Sequence, residues 1–506
     1  MAVSATNLQA PPPLRILFVT PEATPFAKTG GLADVAGALP RALAGLGHEV
    51  RIILPRYRVI DGAAYGFRDY LKLAVPHLGT MVPAVIERGW LAGAGSGTRG
   101  DIPVYAVRYD PYFDREGLYQ DGGQDYPDNL ARYAFFSRAA LETVAVLGRT
   151  ESWTPQILHG HDWQAALAII YLKTIESRRP ELRGLRSLYT IHNVGYQGLF
   201  PGEAFSTTGL GAEWFSPSAL EFYGQVNLMK GGILFADYLT TVSPTYSQEI
   251  QTGRFGFGLE GVLAHRRDRL VGIVNGIDTD LWNPAADPEL PSRYSARDLA
   301  GKQACKAALQ REVKLPVGPA PTCVVVSRLA SQKGLDLVAD IVPDLVRQGA
   351  QVILLGTGDG ELEQRFQALA VRHPQHVAVR IGFDEGLAHR IEAGGDLFLM
   401  PSRYEPCGLS QLISLRYGTV PVVRRTGGLA DTVSPFVRAG GGIRGTGFVF
   451  QEATSAALGA AVQEALQTYA DRAAWQALQV AGMQTDVSWE RSAQDYVTLY
   501  RTMLAT

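Results

Sequence analysis

Cysteine is nearly missing from this chain: Cys305, Cys323 and Cys407 are the only three in 506 residues. An odd and sparse set of thiols excludes a disulfide framework and fits a reducing compartment, so a cytoplasmic protein is expected. Long apolar runs are missing as well. No window approaches 18 uninterrupted apolar residues, which leaves no candidate for a membrane-crossing helix. Residues 1–13 are polar, uncharged and end in Pro11-Pro12-Pro13, without the basic and apolar regions of a signal peptide, and read as a flexible leader with folding starting at Leu14. Neither sign of charge is in excess: 47 Lys and Arg face 49 Asp and Glu, a formal net charge of −2. That balance gives neither a general nucleic-acid footprint nor an anionic-membrane footprint. Finally, no G-x-G-x-x-G and no P-loop pattern occurs, which removes the main support for a nicotinamide or P-loop nucleotide reading.

What is present is a large globular composition, with 46% hydrophobic and 19% charged residues over a length that predicts more than one domain. The run 14–20 is a buried strand followed by a Gly-rich turn and a helix-like stretch to Leu46. Residues 50–55 form a second strand, which completes a β-α-β unit and predicts a parallel sheet with right-handed crossover. Further strands are expected at 157–159, 187–191 and 238–242, each ending in polar residues where a sheet's carboxyl edge places a site. The pattern restarts at 322–326, 351–355 and 396–400. A second doubly wound domain follows from it, with the linker between about residue 265 and the Pro- and Gly-punctuated segment 316–321.

Three motifs sit at such strand ends. Lys28-Thr29-Gly30-Gly31-Leu32-Ala33-Asp34-Val35 offers backbone N–H groups and a lysine to an anion. It recurs as Thr426-Gly427-Gly428-Leu429-Ala430-Asp431, with Arg425 in the cation's place; the plain reading of both copies is a tight loop-to-helix turn. Ser327-Arg328-Leu329-Ala330-Ser331-Gln332-Lys333-Gly334 puts two cations five residues apart, an arrangement that neutralises a departing diphosphate without proton transfer. Pro401-Ser402-Arg403-Tyr404-Glu405-Pro406-Cys407-Gly408-Leu409-Ser410 sets a carboxylate beside a turn whose amides face an anion, and the competing reading is an N-terminal helix carboxylate favoured by the dipole. His159-Gly160-His161-Asp162-Trp163 and His192-Asn193 end two strands of the first domain. The His-x-His pair lacks the further ligands of a structural metal site, and Asp278-Thr279-Asp280, after an Asn-Gly turn, reads as a loop or cap.

Read in order, Lys-x-Gly-Gly-Leu-Ala-Asp-Val, Ser-Arg-Leu-x-x-Gln-Lys-Gly and Glu-Pro-Cys-Gly-Leu resemble the bacterial glycogen synthase and plant starch synthase family, over roughly Leu14 to the C-terminus. The resemblance implies an α/β fold of two Rossmann-like domains facing a cleft, the GT-B glycosyltransferase fold. The divisions expected are the leader 1–13, an N-terminal acceptor domain 14–270, a nucleotide-sugar domain 271–485, and a C-terminal helix 486–506 that crosses back to the first domain. Tyr496, Leu499, Tyr500 and Met503 carry the near-helical apolar spacing of that last element. The implied reaction transfers glucose from ADP-glucose to the non-reducing end of an α-1,4-glucan with retention. Neither metal nor prosthetic group is implied, nor a nucleic-acid or membrane partner, and oligomeric state is not legible.

By the same resemblance Glu405 is the principal catalytic carboxylate, Arg328 and Lys333 hold the diphosphate, and His192 and Asp162 act with them. Lys28, Gly30, Gly31, Asp34, Phe383, Cys407, Gly408, Leu409 and Ser410 are implied for the donor, and Glu22, Asn193 and Tyr196 for the acceptor. Two departures stand out. Phe383 occupies a position where bacterial members often have tyrosine, so stacking survives without a phenolic hydrogen bond. Glu405 plus eight is Ile413, so the second carboxylate of the E-x7-E pattern of related transferases is absent. The competing readings are a related glucosyltransferase with another donor or acceptor, a glycogen phosphorylase, for which the chain is short and lacks a pyridoxal-phosphate motif, and a non-catalytic glucan-binding protein, which the retained charged residues disfavour.

Overall fold

The computed structural model describes residues 12–93, 101–439 and 442–506, so most of the expected leader lies outside it. The chain divides by its contacts into two units, residues 1–240 with 257–270 and 493–506, and residues 241–256 with 271–492. The segment 241–256 and the last fourteen residues therefore belong to units other than those of their sequence neighbours.

The first unit is built on a nine-stranded sheet. Arg15–Val19 lies inside it and pairs in parallel with Glu49–Pro55 on one side and Ile157–His161 on the other. Arg186–Ile191 continues the parallel ladder beyond Ile157–His161. On the opposite side Ile102–Arg108 pairs with Glu49–Pro55, and an antiparallel hairpin, Arg68–His77 with Thr80–Leu91, extends the sheet. The central run is apolar throughout because helices cover both faces of a parallel sheet: Ile16, Leu17, Phe18 and Val19 are all fully buried. Helices Gly31–Gly45, Asn129–Thr150 and Asp162–Lys173 belong to this unit. So does most of the final helix, Trp489–Ala505, whose Tyr496, Tyr500 and Met503 are wholly buried.

The second unit holds a six-stranded, all-parallel sheet in the order Val377–Ile381, Gln351–Gly356, Thr322–Val326, Leu397–Met400, Val420–Arg424, Phe448–Phe450. This is the doubly wound order, in which succession outward from the first strand reverses once. Alternate residues serve opposite faces, as a period of two requires. Cys323, Val325, Val352 and Leu354 pack with Leu335–Arg347 and Ser455–Ala470, whereas Val324 and Ile353 pack with Leu309, Leu387 and Ile391 of Ala300–Glu312 and Glu385–Gly394. Both units thus have the Rossmann-like α/β architecture expected from the strand pattern.

Candidate functional site

In each unit the candidate residues collect at the point where strand order reverses, the place where an open α/β sheet leaves a crevice beyond its carboxyl ends. In the first unit this point lies beyond Arg15–Val19 and Ile157–His161. Glu22 follows the first of these strands and is buried, 4% exposed. Its carboxylate accepts from the backbone N–H of Thr29, from Thr29 Oγ1 at 2.6 Å and from the Tyr119 hydroxyl. With both oxygens accepting from the protein, Glu22 ties the Lys28–Gly31 turn to the end of its own strand and to Tyr119. Gly30 leads into helix Gly31–Gly45 with extended backbone and open space where a Cβ would stand. The Lys28 Nζ and Asp34 Oδ1 atoms form a half-exposed ion pair at 2.7 Å.

Beyond the neighbouring strand, Asp162 adopts a left-handed backbone, φ 53°, at the start of its helix. Its Oδ1 accepts the His192 backbone N–H at 2.8 Å, and Asn193 donates a second backbone hydrogen bond. Burial pushes the Asp162 carboxyl up to about 8, against those two donors, which pull it down. His192 is buried and lowered to about 3 for the same reason, so its ring is neutral. The Asn193 side chain accepts from Gly195 N and closes a turn, which leaves Tyr196 about half exposed. The two histidines of the His-x-His pair are core residues: His159 contacts the Tyr500 hydroxyl at 2.8 Å and Thr190 Oγ1 at 2.6 Å, and His161 contacts His192. Among the described residues no cluster of three His, Cys, Asp or Glu side chains could hold a metal ion. Asp278 caps its own turn, accepting from Asp280 and Leu281 N–H.

In the second unit the reversal lies between Thr322–Val326 and Leu397–Met400. A pocket opens there, lined by Ser327, Arg328, Lys333, Ser402 and Ser410 above a floor that includes Val326, Phe398 and Met400. Lys333 Nζ lies 2.7 Å from Glu405 Oε2, and the Ser402 hydroxyl donates to the same oxygen at 2.9 Å. Glu405 is 5% exposed, so this carboxylate is almost wholly desolvated and compensated by one cation and one hydroxyl. Arg328 is exposed at the rim. The two loops are stitched together. Arg403 makes a bidentate pair with Asp336 at 2.7 and 2.6 Å and donates to Ser331 O, while buried Arg424 donates to the carbonyls of Ser402 and Arg403. Gly334 is left-handed, φ 64°, and a Cβ there would lie 2.4 Å from Pro401 O. Only glycine permits this approach of the two loops.

The remaining candidates divide. Ser410 begins a helix and lines the pocket, whereas Cys407 is buried with its thiol pushed up to about 12 by burial. Gly408 is left-handed, and a Cβ there would collide with the Gln411 side chain, which donates to the carbonyls of Cys407 and Gly408. Phe383, in contrast, is 85% exposed just before helix Glu385–Gly394, its ring accessible to a stacking partner.

Several contributors were visible in the sequence without the partners that give them a role. The Thr426-Gly427-Gly428 copy of the repeated motif lies behind the Glu405 loop: Gly428 N donates to Glu405 O, and Glu249 accepts from Thr426 Oγ1 at 2.9 Å and Gly427 N at 3.1 Å. In both copies an earlier glutamate accepts from the threonine hydroxyl, Glu22 from Thr29 only 7 residues on and Glu249 from Thr426 across 177. Tyr119 carried no sequence signal, and Ser402 and His161, although inside named motifs, had no legible role, since their importance lies in what they touch.

Known proteins resemble this chain over nearly its whole length. Residues 15–265 match the starch synthase catalytic domain, and residues 308–477 match glycosyl transferases group 1. The glycogen synthase of Anaeromyxobacter dehalogenans (strain 2CP-1) is 52% identical over 492 residues, covering 97% of this chain and 99% of that protein. Glycogen synthase 2 of Geobacter sulfurreducens is 48% identical over 489 residues, 96% of this chain and 98% of that one. Among solved structures, the catalytic domain of starch synthase IV from Arabidopsis thaliana, bound to ADP and acarbose, superposes with a TM-score of 0.87 at 33% identity, covering 98% of this chain and all of that one. A sucrose-phosphate synthase from Thermosynechococcus elongatus, at 17% identity and a TM-score of 0.56 over 97% and 99% of the two chains, shares the fold alone. The chain belongs to the glycogen and starch synthase family, glucosyltransferases of the GT-B fold.

Proposed function

We propose that the chain transfers glucose from ADP-glucose to the non-reducing 4-hydroxyl of an α-1,4-glucan with retention, and that it does so in the cytoplasm. The observation that carries the reading is the Lys333–Glu405 pair, whose lysine lines the second unit's pocket together with Arg328. Two cations at that edge suit a nucleoside diphosphate leaving group, whose developing charge they stabilise without moving a proton. Glu405, held in place by Lys333 and Ser402, suits stabilisation of the positive charge that grows at the anomeric carbon. The ADP named in the Arabidopsis structure supports an adenine nucleotide, and the exposed Phe383 ring offers a face for the base.

In this reading His192 and the Asp162-ordered turn serve the sugar, and Lys28 serves the phosphates. Asn193 and Tyr196 serve the acceptor, and Glu22 supports the turn that carries Lys28. Residues 14–270 form the acceptor domain and 271–485 the nucleotide-sugar domain. Glucosyl incorporation into glycogen with ADP-glucose and UDP-glucose tests the donor. ADP-glucose should give the higher kcat/KM, and Glu405→Gln should lower kcat at least about 100-fold with ADP affinity little changed. A higher kcat/KM with UDP-glucose would overturn the donor, and near-normal turnover of Glu405→Gln would overturn the role of the carboxylate.

A further inference from the structure

His161 is the member of the His-x-His pair that the reaction above leaves unused. It ends the strand Ile157–His161, is completely buried, and stacks on Phe18 with ring centroids 5.2 Å apart and planes 20° from parallel. Its Nδ1 lies 3.0 Å from His192 Nε2. Its Nε2 is buried too and meets no hydrogen-bond partner among the described residues. Burial holds both imidazoles well below their usual range, so each ring carries one proton. The contact between them therefore has one donor and one acceptor.

Two arrangements satisfy that condition. If His192 Nε2–H donates, the only proton of His161 sits on its Nε2, a buried N–H with nothing to bond. If His161 Nδ1–H donates, its Nε2 is a bare lone pair. Orphaned buried N–H donors are rarer in folded proteins than under-satisfied acceptors, which favours the second arrangement. We infer that His161 is a positioning residue: it donates Nδ1–H to His192 Nε2 and thereby fixes the proton of His192 on Nδ1, so that the free edge of His192 is a hydrogen-bond donor suited to a sugar hydroxyl. The inference rests on the reading that His192 takes part in the transfer. One ring thereby sets the tautomer of the next.

The test uses the full chain. His161→Phe keeps the ring stack on Phe18 and removes the donor; it should lower kcat about 10-fold, with KM for ADP-glucose within about twofold, the loss expected when one directed hydrogen bond is no longer preorganised. His161→Asn, whose amide N–H stands close to the place of Nδ1–H, should recover most of that loss. In a His192→Ala background His161→Phe should have no further effect beyond about twofold, because the two residues act as one unit. Long-range proton–nitrogen correlation spectra of the histidine-labelled chain should show His192 protonated on Nδ1. Protonation of His192 on Nε2, or an undiminished effect of His161→Phe in the His192→Ala background, overturns the inference. If His192→Ala itself retains normal turnover, the role of His192 in the transfer fails, and the spectrum still decides what His161 does.

Discussion

The amino group of Lys333 cannot be removed without stranding a carboxylate. Glu405 is nearly inaccessible to water and, among the described residues, has Ser402 as its other side-chain partner, so Lys333 both compensates its charge and presents a cation to the pocket. Arg328, exposed on the rim, forms no ion pair among the described residues. The two cations of one motif should therefore separate experimentally. Arg328→Ala is expected to raise KM for ADP-glucose about 10-fold while the urea midpoint stays unchanged. Lys333→Ala should lower kcat as well and destabilise by about 2 kcal/mol, since breaking a buried pair leaves an uncompensated charge. Combining Lys333→Ala with Glu405→Gln should destabilise less than the sum of the two, because the neutral amide no longer needs the cation. Equal effects of the two alanine variants on stability would contradict this division.

Identical local sequence does not make equivalent elements. Both Thr-Gly-Gly-Leu-Ala-Asp segments open a helix, Gly31–Gly45 and Gly427–Thr432, and each threonine is held by a buried or partly buried glutamate. At Gly30 a Cβ would meet nothing within 4 Å. At Gly427 the backbone is left-handed, φ 44°, and a Cβ would sit 1.8 Å from Glu405 O. Gly30→Ala should thus fold with an unchanged unfolding temperature, any loss appearing in activity alone, whereas Gly427→Ala should lower stability by about 2 kcal/mol or more and displace the Glu405 loop. Thermal unfolding of both variants beside their turnover separates the outcomes, and equal tolerance at the two positions would show that the second copy is not a wedge behind Glu405. The strands that carry motifs were legible because each is an apolar run ending in polar residues. The hairpin Arg68–His77 with Thr80–Leu91 was not, because its two-residue turn is Leu78-Gly79, both left-handed, where Asn-Gly or Asp-Gly would have announced it.

At the scale of the whole molecule, the polar network beneath the first unit's strand ends makes stability depend on pH in two opposed ways. His159, His161 and His192 are all lowered by burial. Their contribution is complete above about 6.5, the value in an unfolded chain, and is lost as pH falls, that of His192 toward about 3. Asp162 is raised to about 8, so its contribution is complete below about 3.9 and is lost as pH rises through 8. Asp162→Asn removes the second effect and leaves the first. The variant should gain on the unmutated chain as pH rises from about 4 to 8, by up to about 1.4 kcal/mol per pH unit, and the gap should be constant above 8. Urea unfolding at a series of pH values measures it, and a variant that gains no stability relative to the unmutated chain over this range would refute the assignment. The final helix enters the same network through the Tyr500 hydroxyl, 2.8 Å from His159 Nδ1, so the end of the chain reports on the core of its first unit.

The sequence by itself determined the strands, the Gly turns at their ends, the restart that makes a second Rossmann-like unit, and through three ordered motifs the family. These are local properties: a run buried on both faces must be apolar throughout, and a turn that approaches a neighbouring backbone must be glycine. Only the tertiary structure decided which of these groups act on one another. The Lys333–Glu405 pair joins residues 72 apart, Glu249 reaches Thr426 across 177, and His161 meets His192 across 31. Nothing in the spacing of a chain specifies such partners. They are set by which strand lies beside which in the sheet, and that order is chosen by the burial of the whole apolar surface at once.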